Sequence, residues 1–451
     1  MNLHGLLKDR ERAGTPVRVG VIGAGKFASM FFSQIPTTPG LHLVTVVDLD
    51  VERAKASLAR TGWDEEDFSA TSTADALSSG RTYLTTDVSE LFDCPEIEVV
   101  VEVTGNPIAG THHALGAIAA RKHIVMVNVE ADAFVGPLLR EKADEAGVIY
   151  SLAYGDQPAL ICEMVDWARA IGLRVVSAGK GTKYLPEYRK STPETVWDHY
   201  GFTDEQLARG DFNPKMFNSF LDGTKSAIEM AALANATGLA VPEEGLEFPP
   251  VSALELASEL RPMSVGGVLP RSGMVEVVSS LHRDGSQVEN DLRWGVYVTF
   301  EAPNDYAANC FAEYGLQTDE TGRYGALYRP YHLIGLELGV SVASIATRGE
   351  PTGRPVAFVG DVAARAKRDL RAGDELDGEG GYLVVGEVIP ARKSLEIGAL
   401  PLGLAGGGAV LLRDVAEGEI IRWEDVELPS DNEAIRLRRE MEQQWGEKVL
   451  G

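Results

Sequence analysis

The first 150 residues alternate short aliphatic runs with longer stretches whose apolar positions recur at helical spacing. Val17-Arg-Val-Gly-Val-Ile22, Leu43-Val-Thr-Val-Val47, Glu98-Val-Val-Val-Glu-Val103, His123-Ile-Val-Met-Val127 and Gly147-Val-Ile-Tyr-Ser-Leu-Ala153 all read as strands. Near-continuous hydrophobic strands alternating with amphipathic helices predict a doubly wound parallel sheet. Residues 1–15 predict a short helix and turn. A helix over Ala159–Gly172, carrying Glu163 and Asp166, closes this half.

From about 173 to 345 the pattern shifts to short β-prone runs such as Leu292–Phe300, with helical inserts at 203–209 and 219–237. That mixture predicts an α+β region. The last hundred residues hold an internal repeat: Arg368-Asp-Leu-Arg-Ala-Gly-Asp-Glu-Leu376 matches Arg413-Asp-Val-Ala-Glu-Gly-Glu-Ile-Ile421. Two copies around Ala405-Gly-Gly-Gly408 predict a small β-rich module with two similar halves, serving assembly or covering a site. The fold class is therefore α/β, divided at 1–172, 173–349 and 350–451.

The turns between the early strands carry the first chemistry. Gly23 allows a tight turn, Gly25 lets backbone amides approach a pyrophosphate, and Ala28 lets the following helix lie close to its strand, with Lys26 and Phe27 between. Asp48, closing the second strand, stands where an acid binds ribose hydroxyls. The strand-to-glycine-to-helix context is what turns the pattern into a predicted dinucleotide site. Thr104, Gly105 and Asn106, and Asn128 after the next strand, are candidates for the nicotinamide side, although turn chemistry alone accounts for an Asn there. His112 and His113 read as cap or surface residues.

At 451 residues the chain has ample material for a buried core, and its N-terminus is too charged for a signal peptide. No apolar run approaches the roughly 20 residues of a membrane span. A cytoplasmic, soluble protein is expected. Cys94, Cys162 and Cys310 are odd in number and far apart, which fits reduced thiols and neither a disulfide framework nor a Cys-x-x-Cys zinc site. A net charge of −25 argues against nucleic acid or anionic membrane as partner.

Against that charge, Gly179-Lys-Gly-Thr-Lys-Tyr-Leu-Pro-Glu-Tyr-Arg-Lys190 has four basic residues and one acid. Lys180 and Lys183, read as a loop after a β-run, are candidates for gripping a phosphate or carboxylate and polarising a carbonyl. A second constellation, Asp222-Gly-Thr-Lys225-Ser-Ala-Ile-Glu229, opens a helix with Lys225 and Glu229 one turn apart. Lys225 is a candidate proton donor to an alkoxide, tuned by Asp222 and Glu229; a capped helix with one ion pair is the plainer alternative. Glu130, Asp156 and Gln157 follow predicted strands and are candidates for substrate contact. No metal motif is legible, and scattered Asp and Glu leave a divalent cation open.

Val19-Gly-Val-Ile-Gly-Ala-Gly-Lys-Phe-Ala28, Val101-Glu-Val-Thr-Gly-Asn-Pro107, Tyr154-Gly-Asp-Gln-Pro-Ala-Leu160, Gly179-Lys-Gly-Thr-Lys-Tyr184 and Asp222-Gly-Thr-Lys-Ser226 together carry a resemblance. Over almost its whole length the chain resembles the homoserine-dehydrogenase-like oxidoreductases with a C-terminal SAF domain. That group includes the 1-deoxy-D-xylulose 5-phosphate reductoisomerase-like (DRL) enzymes of isoprenoid synthesis. The resemblance implies an SAF-like C-terminal domain and hydride transfer with NAD(P), with isomerisation of a sugar phosphate as the narrower reading. Homoserine dehydrogenases carry Asn-Lys where this chain has Asn128-Val129, and an Asp and Lys where it has Lys225 and Glu229. Homoserine is therefore not the expected substrate. Asp48 favours NAD whereas the reductoisomerase-like relatives imply NADPH, and Arg53 offers a counter-charge, so the cofactor stands as NAD(P). The expected ligand is a small anionic polyhydroxylated carbonyl compound, and the expected state a homo-oligomer. A nucleotide-responsive sensor without turnover is the rival class.

Overall fold

The computed structural model describes residues 2–209, 212–429 and 432–450. They form two compact units: one of residues 1–160 and 332–355, the other of residues 161–331 and 356–451.

In the first unit six parallel strands, β1 (Val17–Ile22), β2 (Leu41–Val47), β3 (Tyr83–Thr85), β4 (Val99–Glu102), β5 (His123–Met126) and β6 (Tyr150–Leu152), lie in the order β3-β2-β1-β4-β5-β6. This is the doubly wound dinucleotide-fold order, whose switch point falls between β1 and β4. Val17, Val19, Val21, Val99 and Val101 are buried at the centre because both faces of the sheet are covered. The Gly339–Arg348 helix belongs to this unit, since Val342, Ala343 and Ile345 complete the apolar layer against Val17 and Leu7. That burial explains why a segment predicted to end the middle region joins the first unit.

In the second unit β7 (Arg174–Thr182), β8 (Met274–Ser279), β9 (Val296–Glu301) and β10 (Tyr324–Arg329) form a mixed sheet in the order β10-β9-β7-β8. Two sequence expectations need correction here. The segment around Lys180 is strand rather than loop, because Gly179 and Gly181 let neighbouring backbone come so near that a Cβ would lie 1.7 Å from the Glu276 carbonyl or 1.9 Å from that of Leu292. The insert at 219–237 is two helices, Pro214–Asp222 and Thr224–Thr237, broken at Gly223 with φ +91°. The other insert is a helix over Asp204–Arg209.

A hairpin of β11 (Gly360–Ala366) and β12 (Val384–Pro390) packs on the Thr224–Thr237 helix. A Cβ at Gly360 would sit 2.8 Å from Val241, and the Gly386 N–H donates to Thr224 Oγ1 at 3.0 Å. The sequence repeat becomes a local two-fold. Leu370 and Val415, equivalent in the two copies, exchange both backbone hydrogen bonds (2.8 and 3.0 Å), while Asp369 accepts from Glu417 N and Asp414 from Ala372 N, each at 2.9 Å. Gly373 and Gly418, also equivalent, have φ +93° and +82°.

Candidate functional site

The first unit holds the predicted nucleotide residues at the carboxyl ends of β1, β2, β4 and β5. Gly23 has φ +105°, and a Cβ there would lie 3.2 Å from the Val103 carbonyl group, so the turn presses on the end of β4. Gly25 precedes the Lys26–Phe32 helix and is exposed, with nothing within 4 Å of the place a Cβ would take. Ala28 is buried against the sheet, Phe27 is half-buried and Lys26 exposed. An open glycine beside a closely packed one fits a bound pyrophosphate approaching the backbone.

Asp48 is buried, and its carboxylate is engaged by the chain itself. Oδ2 accepts from Ala24 N at 2.7 Å; Oδ1 accepts from Asp50 N at 2.9 Å and from Arg53 Nη2 and Nε at 2.6 and 3.1 Å. These donors occupy about the four acceptor positions a carboxylate has. The Arg53 side chain is 57% exposed, so a cation rather than a free acid faces outward here.

Thr104, Gly105 and Asn106 are exposed after β4. Asn106 caps the Pro107–Ala119 helix, accepting from Ile108 N and Ala109 N at 3.0 and 2.9 Å. Asn128 caps the Val129–Ala146 helix through Ala131 N at 3.1 Å and donates to the Asn106 carbonyl at 2.8 Å. The two asparagines thus lock adjacent strand ends together. Glu130 is half-buried in the first turn of that helix. Asp156 and Gln157 are buried, with Gln157 N donating to Asp156 Oδ1 at 2.9 Å.

Sequence reading missed a buried acid cluster under these turns. Glu102 is fully buried; its Oε1 accepts from Thr104 Oγ1 at 2.5 Å and meets His113 Nδ1 at 3.0 Å. His113 is therefore a partner of a buried acid, not the cap or surface residue expected. Asp132 accepts from the Tyr150 hydroxyl at 2.8 Å, and burial lifts its carboxyl to about 7. The period of the Val129–Ala146 helix could have shown Asp132 on its inner face.

In the second unit the predicted basic and acidic residues are regrouped. Lys180, on β7, forms an ion pair with Glu229 on the Thr224–Thr237 helix, with 4% and 1% of the side chains exposed. Lys180 is too buried to grip a ligand from a loop. Lys225, one turn before Glu229, is half-buried. Asp222 accepts from Thr224 N at 2.9 Å and from Lys367 Nζ at 2.6 Å, and Lys367 also donates to the Ser191 and Gly381 carbonyls. Burial lifts the Asp222 carboxyl above its ordinary range, the Lys367 ammonium opposing it. Lys367, just before the first repeat copy, carried no sequence signal. Lys183 donates to the His199 carbonyl and faces the Tyr200 ring. Among the described residues no group of three or more His, Cys, Asp or Glu is placed to hold a metal ion, and no helix is long and apolar enough to cross a membrane.

Two segments match known families. Residues 17–129 match the oxidoreductase family with an NAD-binding Rossmann fold, and residues 155–338 match the catalytic domain of oxidoreductase DRL. No curated protein matches. Among solved structures, a putative oxidoreductase, yvaA, from Bacillus subtilis is 13% identical over 74% of this chain and 89% of its own, with a TM-score of 0.34. An aldose-aldose oxidoreductase from Caulobacter crescentus is 14% identical over 75% and 92%, TM-score 0.37. The WlbA dehydrogenase from Bordetella pertussis, in complex with NADH and UDP-GlcNAcA, is 18% identical over 39% of this chain, TM-score 0.27, and only 50% of its length is spanned. The Rossmann strand order with its glycine turn lies in the first of these two segments, and both segments are those of oxidoreductases.

Proposed function

We propose that the protein moves a hydride between NAD(P) and a small, anionic, polyhydroxylated carbonyl compound, sugar-derived and phosphorylated. The observation that carries this reading is the Lys180–Glu229 pair, which pins the start of the Lys225 helix to β7 inside the segment matching an oxidoreductase catalytic domain. A bound nicotinamide supplies or accepts the hydride. Gly23 and Gly25 would admit the pyrophosphate, with Ala28 keeping the helix close to its strand, and Thr104, Gly105, Asn106 and Asn128 would shape the nicotinamide end. Lys225 delivers the proton to the carbonyl oxygen as it becomes an alkoxide, so that hydride on carbon and proton on oxygen complete the alcohol. Lys180, Glu229 and Asp222 act as positioning residues beneath it. Glu130, Asp156 and Gln157 contact substrate hydroxyls, and Lys183 an anionic group.

The narrower proposal is reduction and isomerisation of 1-deoxy-D-xylulose 5-phosphate, supported by the DRL segment; the repeat-bearing end is then an SAF-like domain of a cytoplasmic homo-oligomer. Full-length protein mixed with that substrate, NADPH or NADH, and magnesium or manganese should consume reduced nucleotide and yield the branched polyol phosphate by NMR. Nucleotide binding without turnover would move the substrate to another sugar-derived carbonyl compound. Absence of nucleotide binding would overturn the enzyme reading.

A further inference from the structure

Lys183 and Arg293 are two cations set at one aromatic ring, and among the described residues neither forms an ion pair with an acid. β7 and β9 pair antiparallel with Lys180 opposite Val296, and Gly181 N continues the ladder to the Gly295 carbonyl at 3.0 Å. Past the strand ends the ladder gives way to a turn, Gly295 N donating to the Leu292 carbonyl at 2.8 Å, and Arg293 lies in that turn. Both reach the ring of Tyr200, Lys183 Nζ at 5.6 Å and Arg293 Cζ at 5.9 Å from its centroid. Two like charges brought to one ring repel each other.

Among the described residues neither cation has a carboxylate within ion-pair distance, in a chain with 67 acidic and 42 basic residues. The Arg293 guanidinium makes no hydrogen bond among them, so its five N–H donors are unused, and Lys183 spends one donor on the His199 carbonyl. Burial and the Arg293 charge hold the Lys183 ammonium below the ordinary lysine range. The loop is firmly placed: Arg293 N donates to Asp291 Oδ1 at 2.8 Å, and a Cβ at Gly295 would lie 2.3 Å from the Arg329 carbonyl.

We propose that Lys183 and Arg293 form a receptor for a phosphate monoester dianion, the guanidinium binding two oxygens and the ammonium a third. Two fixed positive charges match the dianion, and a planar fork beside a point charge suits phosphate oxygens. This deepens the functional reading above: the phosphate of the substrate is gripped by Lys183 with Arg293, and not by Lys180.

Calorimetric titration of the full chain with inorganic phosphate, with saturating NADP+ present to fill the nucleotide site, tests the receptor. Saturable binding is expected, weakened about tenfold or more in Arg293→Gln and in Lys183→Gln, with acetate binding far more weakly. Both variants should keep the parental melting temperature and nucleotide affinity. No binding, or binding that both variants retain, would overturn the proposal. Loss of NADP+ binding by the parent chain would instead count against the oxidoreductase reading and leave the phosphate result to stand alone.

Discussion

Lys180 and Glu229 join a central strand to the second turn of a helix through an ion pair with almost no water access. Removing one partner of such a pair leaves a buried charge uncompensated, at a cost of about 3–5 kcal/mol, whereas replacing both with apolar groups is often nearly neutral. Lys180→Met alone should therefore lower stability by that amount in urea titration. Lys180→Met with Glu229→Leu should recover most of it. If the pair positions Lys225, kcat stays depressed in the stable double variant; recovery of kcat along with stability would assign the pair to folding alone.

Lys225→Met should lower kcat by about 10²–10⁴-fold, the usual contribution of a proton-transfer group, with NADPH affinity unchanged. Turnover at the parental rate would remove Lys225 from the chemistry.

Gly23 and Gly25 separate packing from binding. Gly23→Ala forces a Cβ toward the Val103 backbone at a φ of +105° and should lower the melting temperature as well as nucleotide affinity. Gly25→Ala enters open space, so the chain should melt normally while the Kd for NAD(P)H rises. Equal affinity in Gly25→Ala and the parent would place the pyrophosphate elsewhere.

Arg53 should set cofactor choice, because it covers the acid that otherwise repels a 2′-phosphate. Arg53→Ala is expected to weaken NADPH about tenfold and leave NADH unchanged or improved, read by fluorescence titration of both. Equal losses for the two nucleotides would contradict this role.

Asp132 gives stability a pH signature. Burial raises its carboxyl from 3.8 to about 7, so between those values the folded state holds a proton that the unfolded chain releases. Its contribution is full below about pH 4 and declines, by up to about 1.4 kcal/mol per pH unit, as pH rises toward 7. Asp132→Asn, which keeps an acceptor for Tyr150, should flatten that decline relative to the parent in denaturation series across this range. Parallel curves for the two proteins would show that Asp132 does not titrate in that window.

Truncation after residue 350 should destroy the second unit rather than leave a working enzyme without its module. Lys367 closes on Asp222, and Gly386 and Gly360 lie against the Thr224–Thr237 helix. Circular dichroism and melting of the shortened chain would show this; a cooperative transition like the parent's would contradict it.

The Rossmann half is legible in the chain's local pattern, because strand hydrophobicity, the glycine at Gly23 and the small Ala28 are requirements of backbone geometry that act over a few residues. So is the repeat, whose equivalent residues Leu370 and Val415 pair with each other. Which charges meet depends on the packed fold. Lys180, three residues from Lys183 in the chain, pairs with Glu229; Asp222, three residues before Lys225, is held by Lys367; and nothing local marks Arg293. Ion pairs are set by which strand lies beside which helix, and residues far apart in the chain leave no local trace of that. The same holds for Asp48, whose position was legible but whose acceptors are filled by Ala24, Asp50 and Arg53 once the β1 and β2 ends come together.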